Sequence, residues 1–130
     1  MEHDESEVIA HRWIEALNTG DVAALDGLLA PDVLDHSGFT RIHGSGRDGV
    51  KRLVYELRRL MPDWRSNIDD IVVNGDRISI RHTGTGTPPP AFRGRGPVRP
   101  TASRPKVRLQ LVSTIRVAGG RVVEHWARSV

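Results

Sequence analysis

Three side chains able to carry protons sit on segments patterned as strands: His82 within 77–87, His125 within 121–128 and Asp35 within 33–37. An imidazole set among apolar neighbours resists charging and stays a neutral base near neutral pH. A carboxyl group in the same pocket can share that acid/base work. His82 shares a strand face with Ile78, Ile80 and Gly84, the side expected to be concave. His125 shares one with Val123 and Ala127, opposite Val122, Glu124 and Trp126. Asp35 and His36 are adjacent on an extended piece, so only one of them can face a cavity. Plainer readings exist for each: a satisfied core histidine at 82, a turn-forming aspartate at 35, and a Glu124–His125 pair packing a sheet end. Ser113 lies on the inner side of a long apolar strand, and Trp13, Trp64 and Trp126 are large anchors that wall a core or a substrate. The candidates are His82, Asp35 and His125 as acid/base groups, with His36, Trp64, Ser113, Trp126 and Trp13 as substrate contacts.

The elements that must position these residues follow from periodicity. Residues 6–18 place Ile9, Ala10, Trp13, Ile14 and Leu17 at helical spacing. Asn18-Thr19-Gly20 stops that helix, and Asp21 can cap a second one over 22–30, with Pro31 just beyond its end. A third helix over 47–61 repeats Val50, Leu53, Val54, Leu57, Leu60 and Met61 and stops at Pro62. The period then changes to two. Strands are expected over 67–73 and 77–87 around an Asn74-Gly75 turn, then over 107–117 and 121–128 around Gly119-Gly120. Helices first and strands after them argue α+β: a curved, mostly antiparallel sheet wrapped around the helices as a cone with a pocket inside.

The chain has 130 residues, 19 Lys plus Arg, 16 Asp plus Glu, a formal charge of +3 and no cysteine. This size fits a single domain, 1–130. Without cysteine there is no disulfide framework, no thiolate zinc site and no thiol nucleophile. No phosphate-binding loop, metal-ligand cluster or nucleophile elbow stands out. The acidic, polar start lacks a secretory signal pattern, and no run approaches a membrane span. A cytoplasmic protein is expected.

A series of short pieces resembles the SnoaL-like polyketide cyclases of the nuclear transport factor 2-like superfamily. They are Ala16-Leu17-Asn18-Thr19-Gly20-Asp21, Pro31-Asp32-Val33-Leu34-Asp35-His36, Gly46-Arg47-Asp48-Gly49-Val50 and Met61-Pro62-Asp63-Trp64. Asn74-Gly75-Asp76-Arg77, Thr83-Gly84-Thr85-Gly86-Thr87 and the run from Ile115 to Trp126 complete the set. The resemblance implies a cone-shaped α+β barrel, often dimeric, that binds a small hydrophobic substrate. It also implies ring closure of a polyketide ester by intramolecular aldol condensation in specialised metabolism, with no metal or organic cofactor. Epoxide hydrolases, steroid isomerases and non-catalytic members share this fold. The resemblance places the piece carrying Asp35 and His36 at the pocket wall, with Asp35 on the family's polar pocket position, and it turns His125 inward if Ala127 faces the cavity as the family's acid does. Ala127 and Val130 stand where relatives commonly carry a carboxylate, and Ser113 and Pro88 stand where they carry histidines.

The segment at about 86–106 is rich in Pro, Gly and Arg and is expected to be a long loop. Arg93, Arg95, Arg99, Arg104, Lys106 and Arg108 cluster around it, with Phe92 as its sole aromatic residue. A nucleic-acid track needs stacking platforms as well as charge, so a solvated basic loop is the better expectation.

Overall fold

The computed structural model describes residues 3–37, 44–89 and 105–130. Helix α1 (His3–Thr19) opens on Asp4 and Glu5, whose charges suit a helix N-terminus. It buries Ile9, Ala10, Trp13, Ile14 and Ala16. A 3-10 turn (Val22–Ala24) follows, with Asp21 Oδ1 accepting the Ala24 N–H at 3.3 Å. Helix α2 is a single turn, Leu25–Leu28. The helix expected over 22–30 thus ends early, and strand β1 (Leu29–Asp35) begins at Leu29. The run Leu28-Leu29-Ala30 suits either period, and tertiary pairing decides: Leu29 aligns with Val122 in parallel register. Pro31 is tolerated because β1 lies at the sheet edge, where only one side needs ladder donors.

Helix α3 (Gly46–Leu60) seats Val50 and Val54 in the core and leaves Leu53, Leu57 and the following Met61 half-buried. Arg58 folds back from its last turn to the carbonyls of Pro62 (2.6 Å) and Trp64 (2.5 Å), fixing the turn into the sheet. Strands β2 (Arg65–Asn74), β3 (Arg77–Gly86), β4 (Val107–Ala118) and β5 (Arg121–Ser129) complete a five-stranded sheet in the order β1-β5-β4-β3-β2. All its pairs are antiparallel except β1 with β5. The hairpin turn lies one residue later than expected. Asn74 pairs with Arg77, so Gly75 and Asp76 are central, and Gly75 takes the positive φ (+63°) that side chains disfavour.

On β3 the residues Ile78, Ile80, His82, Gly84 and Gly86 are buried in strict alternation, as the sequence predicted. On β5 the alternation breaks. Val117 pairs with Val122 but Arg116 pairs with Glu124, leaving Val123 as the extra residue of a bulge. The bulge reverses parity, so Val122 is buried rather than sharing the outer side with Glu124 and Trp126. Ile9, Ile14, Leu25, Leu28, Leu29, Ile78, Ile80, Ile115 and Val122 belong to one core cluster between helices and sheet. Next to this core a cavity of about 230 Å³ remains between α1, α3 and the inner faces of β3, β4 and β5. No helix among the described residues is long and apolar enough to cross a membrane.

Candidate active site

The parallel pairing of β1 with β5 sets Asp35 opposite His125. Asp35 Oδ1 lies 3.2 Å from His125 Nδ1 and also accepts the Ser37 N–H at 2.8 Å. Both side chains are buried, at 3% and 6% exposure. Burial pushes the Asp35 pKa up, but the hydrogen bonds from His125 and Ser37, with the field of His125, outweigh it and hold the carboxyl below its ordinary value. The carboxylate at Oδ1 requires a donor, which places a proton on Nδ1; in the neutral form of the ring the lone pair is then on Nε2. Among the described residues that Nε2 has no partner. The Trp13 indole covers the ring, with centroids 4.5 Å apart.

His82 stands on the inner face of β3 with both nitrogens engaged. Nδ1 is 3.3 Å from Ser66 Oγ on β2, and Nε2 is 3.0 Å from Ser113 Oγ on β4. Burial, and secondarily the field of His125, lower its pKa below the usual imidazole value, with Asp69 opposing. The ring is therefore neutral at pH 7. Ser66 is itself clamped. Asn18, at the end of α1, donates to its carbonyl (2.9 Å) and accepts its N–H (2.7 Å), acting as one more rung on the free edge of β2.

The cavity brings Asp35, His125, His82, Ser113, Trp13 and Trp64 together, and the rest of its wall is apolar, including Leu53, Leu57 and Met61 of α3 and Leu109 of β4. Leu109 is also 43% exposed, which marks the mouth. Among the described residues, four buried side-chain polar atoms lack a partner: Trp13 Nε1, Trp64 Nε1, Asp35 Oδ2 and His125 Nε2. All four belong to residues that line this cavity. Each such orphan costs about 1–3 kcal/mol, and native proteins tolerate them chiefly where function needs them. Trp64 lies flat along β3 because Gly84 and Gly86 present no side chain there.

Two expected substrate contacts lie elsewhere. His36 and Trp126 occupy the outer side of the sheet, since each neighbours a residue that points inward. His36 Nε2 meets Glu124 Oε2 at 2.7 Å, and its ring stacks on Trp126 at 5.1 Å. Arg77 lies over the same indole at 4.9 Å, and Arg116 pairs with Glu124 at 2.7 Å. Ala127 does line the cavity, so a methyl group stands at the wall position where the resemblance implies a carboxylate; Val130 is 70% exposed. Sequence reasoning missed Asn18, read only as part of a helix stop, and Ser66, which lies just before the strand expected over 67–73. Their contact spans 48 positions and leaves no local signal. Most of the basic loop, including Arg93, Arg95, Arg99 and Arg104, lies outside the described residues.

A curved mixed sheet closing over three helices around such a cavity defines an α+β protein of the nuclear transport factor 2-like fold. Within it, the chain belongs to the SnoaL-like domain family, whose profile matches residues 10–125. IdmH from Streptomyces antibioticus, provisionally assigned as a polyketide cyclase, is 29% identical, with a TM-score of 0.77 over 95% of this chain and 91% of its own. TsrD from Streptomyces laurentii is 22% identical, with a TM-score of 0.79 over 99% and 90%. AclR from Streptomyces galilaeus, provisionally a hydroxylase, is 23% identical, with a TM-score of 0.74 over 99% and 91%. The last two likenesses concern the fold alone. No functionally curated protein matches the chain.

Proposed function

We propose that this protein is a cofactor-free cyclase of specialised metabolism. It closes a ring in a polyketide or similar hydrophobic carbonyl compound by an intramolecular aldol reaction. His125 Nε2 removes a proton from a carbon flanked by carbonyls, and Asp35 stabilises the imidazolium that forms. The resulting enolate carbon bonds to a second carbonyl carbon of the same molecule. That carbonyl oxygen becomes an alkoxide and takes a proton back, so no atom is lost. Neutral His82 supplies the second polar group of the pocket, and the apolar walls hold the chain folded and exclude water.

The observation that carries this reading is the unpartnered Nε2 of a histidine oriented by a buried carboxylate at the cavity wall. A panel of poly-β-ketone esters, with products followed by mass spectrometry and NMR, tests it. His125→Ala and Asp35→Asn should each lower ring closure by about 100-fold or more. Unchanged rates in folded variants would reject the assignment. A second reading, a non-catalytic binder of a small apolar ligand, draws on Ala127 and the largely apolar wall. It predicts ligand binding with no turnover of any panel member.

A further inference from the structure

A neutral imidazole carries one N–H and one lone pair. His82 meets a serine hydroxyl at each nitrogen, so one serine donates to the ring and the other accepts from it. The donating serine has spent its proton. The accepting serine still holds an O–H that needs an acceptor elsewhere. The two serines are not equivalent in this respect. Ser66 is 2% exposed, does not line the cavity, and among the described residues its hydroxyl has no partner besides His82. Ser113 lines the cavity, where a ligand can meet it. If Ser66 were the acceptor, its hydroxyl proton would be a buried donor left unmade.

We propose that His82 is held as the Nε2–H tautomer by a hydrogen bond from Ser66, and that Ser113 thereby presents its hydroxyl proton to the cavity as the donor for a neutral ligand carbonyl. Asn18, Ser66 and His82 are positioning residues, and Ser113 is the group that touches the ligand. Asn18 fixes Ser66 by both backbone groups, so the relay is built from the C-terminus of α1 through β2 and β3 to β4. Among the described residues no Lys or Arg lines the cavity, and the Ser113 hydroxyl is a neutral donor for charge growing on a ligand oxygen there. The direction of the relay stands on hydrogen-bond accounting for the neutral ring. That the carbonyl met by Ser113 is the one that becomes the alkoxide rests on the cyclase reading. The opposite tautomer would instead make Ser113 a hydroxyl drawn towards a base.

The ring state is read in the free protein by long-range 1H–15N correlation of 15N-labelled samples at pH about 7.5. His82 should show a protonated Nε2 and an unprotonated Nδ1; the reverse pattern overturns the proposal. Ser66→Ala should shift the ring measurably towards Nδ1–H, and an unchanged tautomer removes Ser66 from the relay. Ser113→Ala leaves the Ser66 donor in place and should keep the Nε2–H form. A switch to Nδ1–H in that variant also overturns the proposal, whether or not Ser66→Ala folds. With 13C-carbonyl 2-tetralone as probe, the bound C=O stretch should fall in frequency in the wild type and return in Ser113→Ala; no difference between them denies Ser113 its role. Neither measurement needs turnover, so a wrong tautomer leaves the cyclase reading standing, and absent turnover leaves the tautomer standing.

Discussion

Replacing Gly84 with alanine should weaken this protein, against the usual direction. Glycine inside a strand ordinarily costs about 0.5–1 kcal/mol relative to alanine, so the exchange normally stabilises. Here a Cβ would lie 2.1 Å from Trp64 Cζ2 and 2.4 Å from Cη2. Ordinary contact begins at 3.4 Å, so the ring edge must retreat by 3.4 − 2.1 = 1.3 Å. The indole is no flexible tip. The Trp64 backbone N–H donates to the Met61 carbonyl at 3.0 Å, and its own carbonyl is gripped by Arg58. Its Cε3 already lies 3.0 Å from where a Cβ on Gly86 would stand. Overpacking of this kind costs about 1–3 kcal/mol. Subtracting the alanine gain leaves a net loss of about 1 kcal/mol, or about 3–5 °C in Tm for a chain of this size. Urea titration followed by circular dichroism measures the loss, and tryptophan emission reports the ring displacement. In a Trp64→Leu background the sign should reverse and alanine should stabilise. A Gly84→Ala protein as stable as the wild type, or the same loss in both backgrounds, would refute the reasoning.

The lowered pKa of His82 makes stability depend on pH. The unfolded chain takes up this proton first, so the contribution is complete above pH 6.5 and is lost as pH falls from there through the folded value. Urea midpoints at pH about 7.5 and 5.5 should drop more for the wild type than for His82→Gln, and equal drops would remove His82 as the source. Asn18→Ala strands the N–H and carbonyl of Ser66 and should cost about 2 kcal/mol, with faster hydrogen exchange at the Ser66 amide; unchanged exchange would refute the clamp. Asp63 accepts both the N–H (3.0 Å) and the hydroxyl (2.7 Å) of Thr87. Because Asp63 is exposed, Asp63→Ala should cost no more than about 1 kcal/mol. A loss of several kcal/mol in the same titration would show that more depends on this joint.

The periodic parts of the chain were legible because one face is buried. Helix α3 and the alternation of β3 follow the hydrophobic pattern to within a residue or two. Leu29 was misread as helix because three apolar residues in a row carry no period, and only pairing with Val122 settles them. Strand parity correctly joined His125 with Ala127 and set Trp126 against them. It failed at Val122 because a bulge is a property of the pair β4–β5, not of β5 alone. Of adjacent Asp35 and His36, alternation allows one inside, and the parallel register with β5 chose Asp35. The Asn18–Ser66–His82–Ser113 chain was invisible because each link joins a different element and polar residues have no periodicity to reveal partners. The hollow itself was also hidden. Leu53, Leu57 and Met61 look like core in sequence, and nothing local states that the facing side chains stop short of them.

The central claim is that His125 Nε2 takes a proton from a carbon acid held in the cavity. Deuterium wash-in measures this directly: the protein and 2-tetralone in D2O, with loss of the α-proton NMR signals followed in time. The account predicts exchange at least about 100-fold faster than in buffer, lost in His125→Ala while tryptophan quenching shows the ketone still bound. A bound ketone that exchanges no faster than in buffer, or a His125→Ala protein as fast as the wild type, would contradict it.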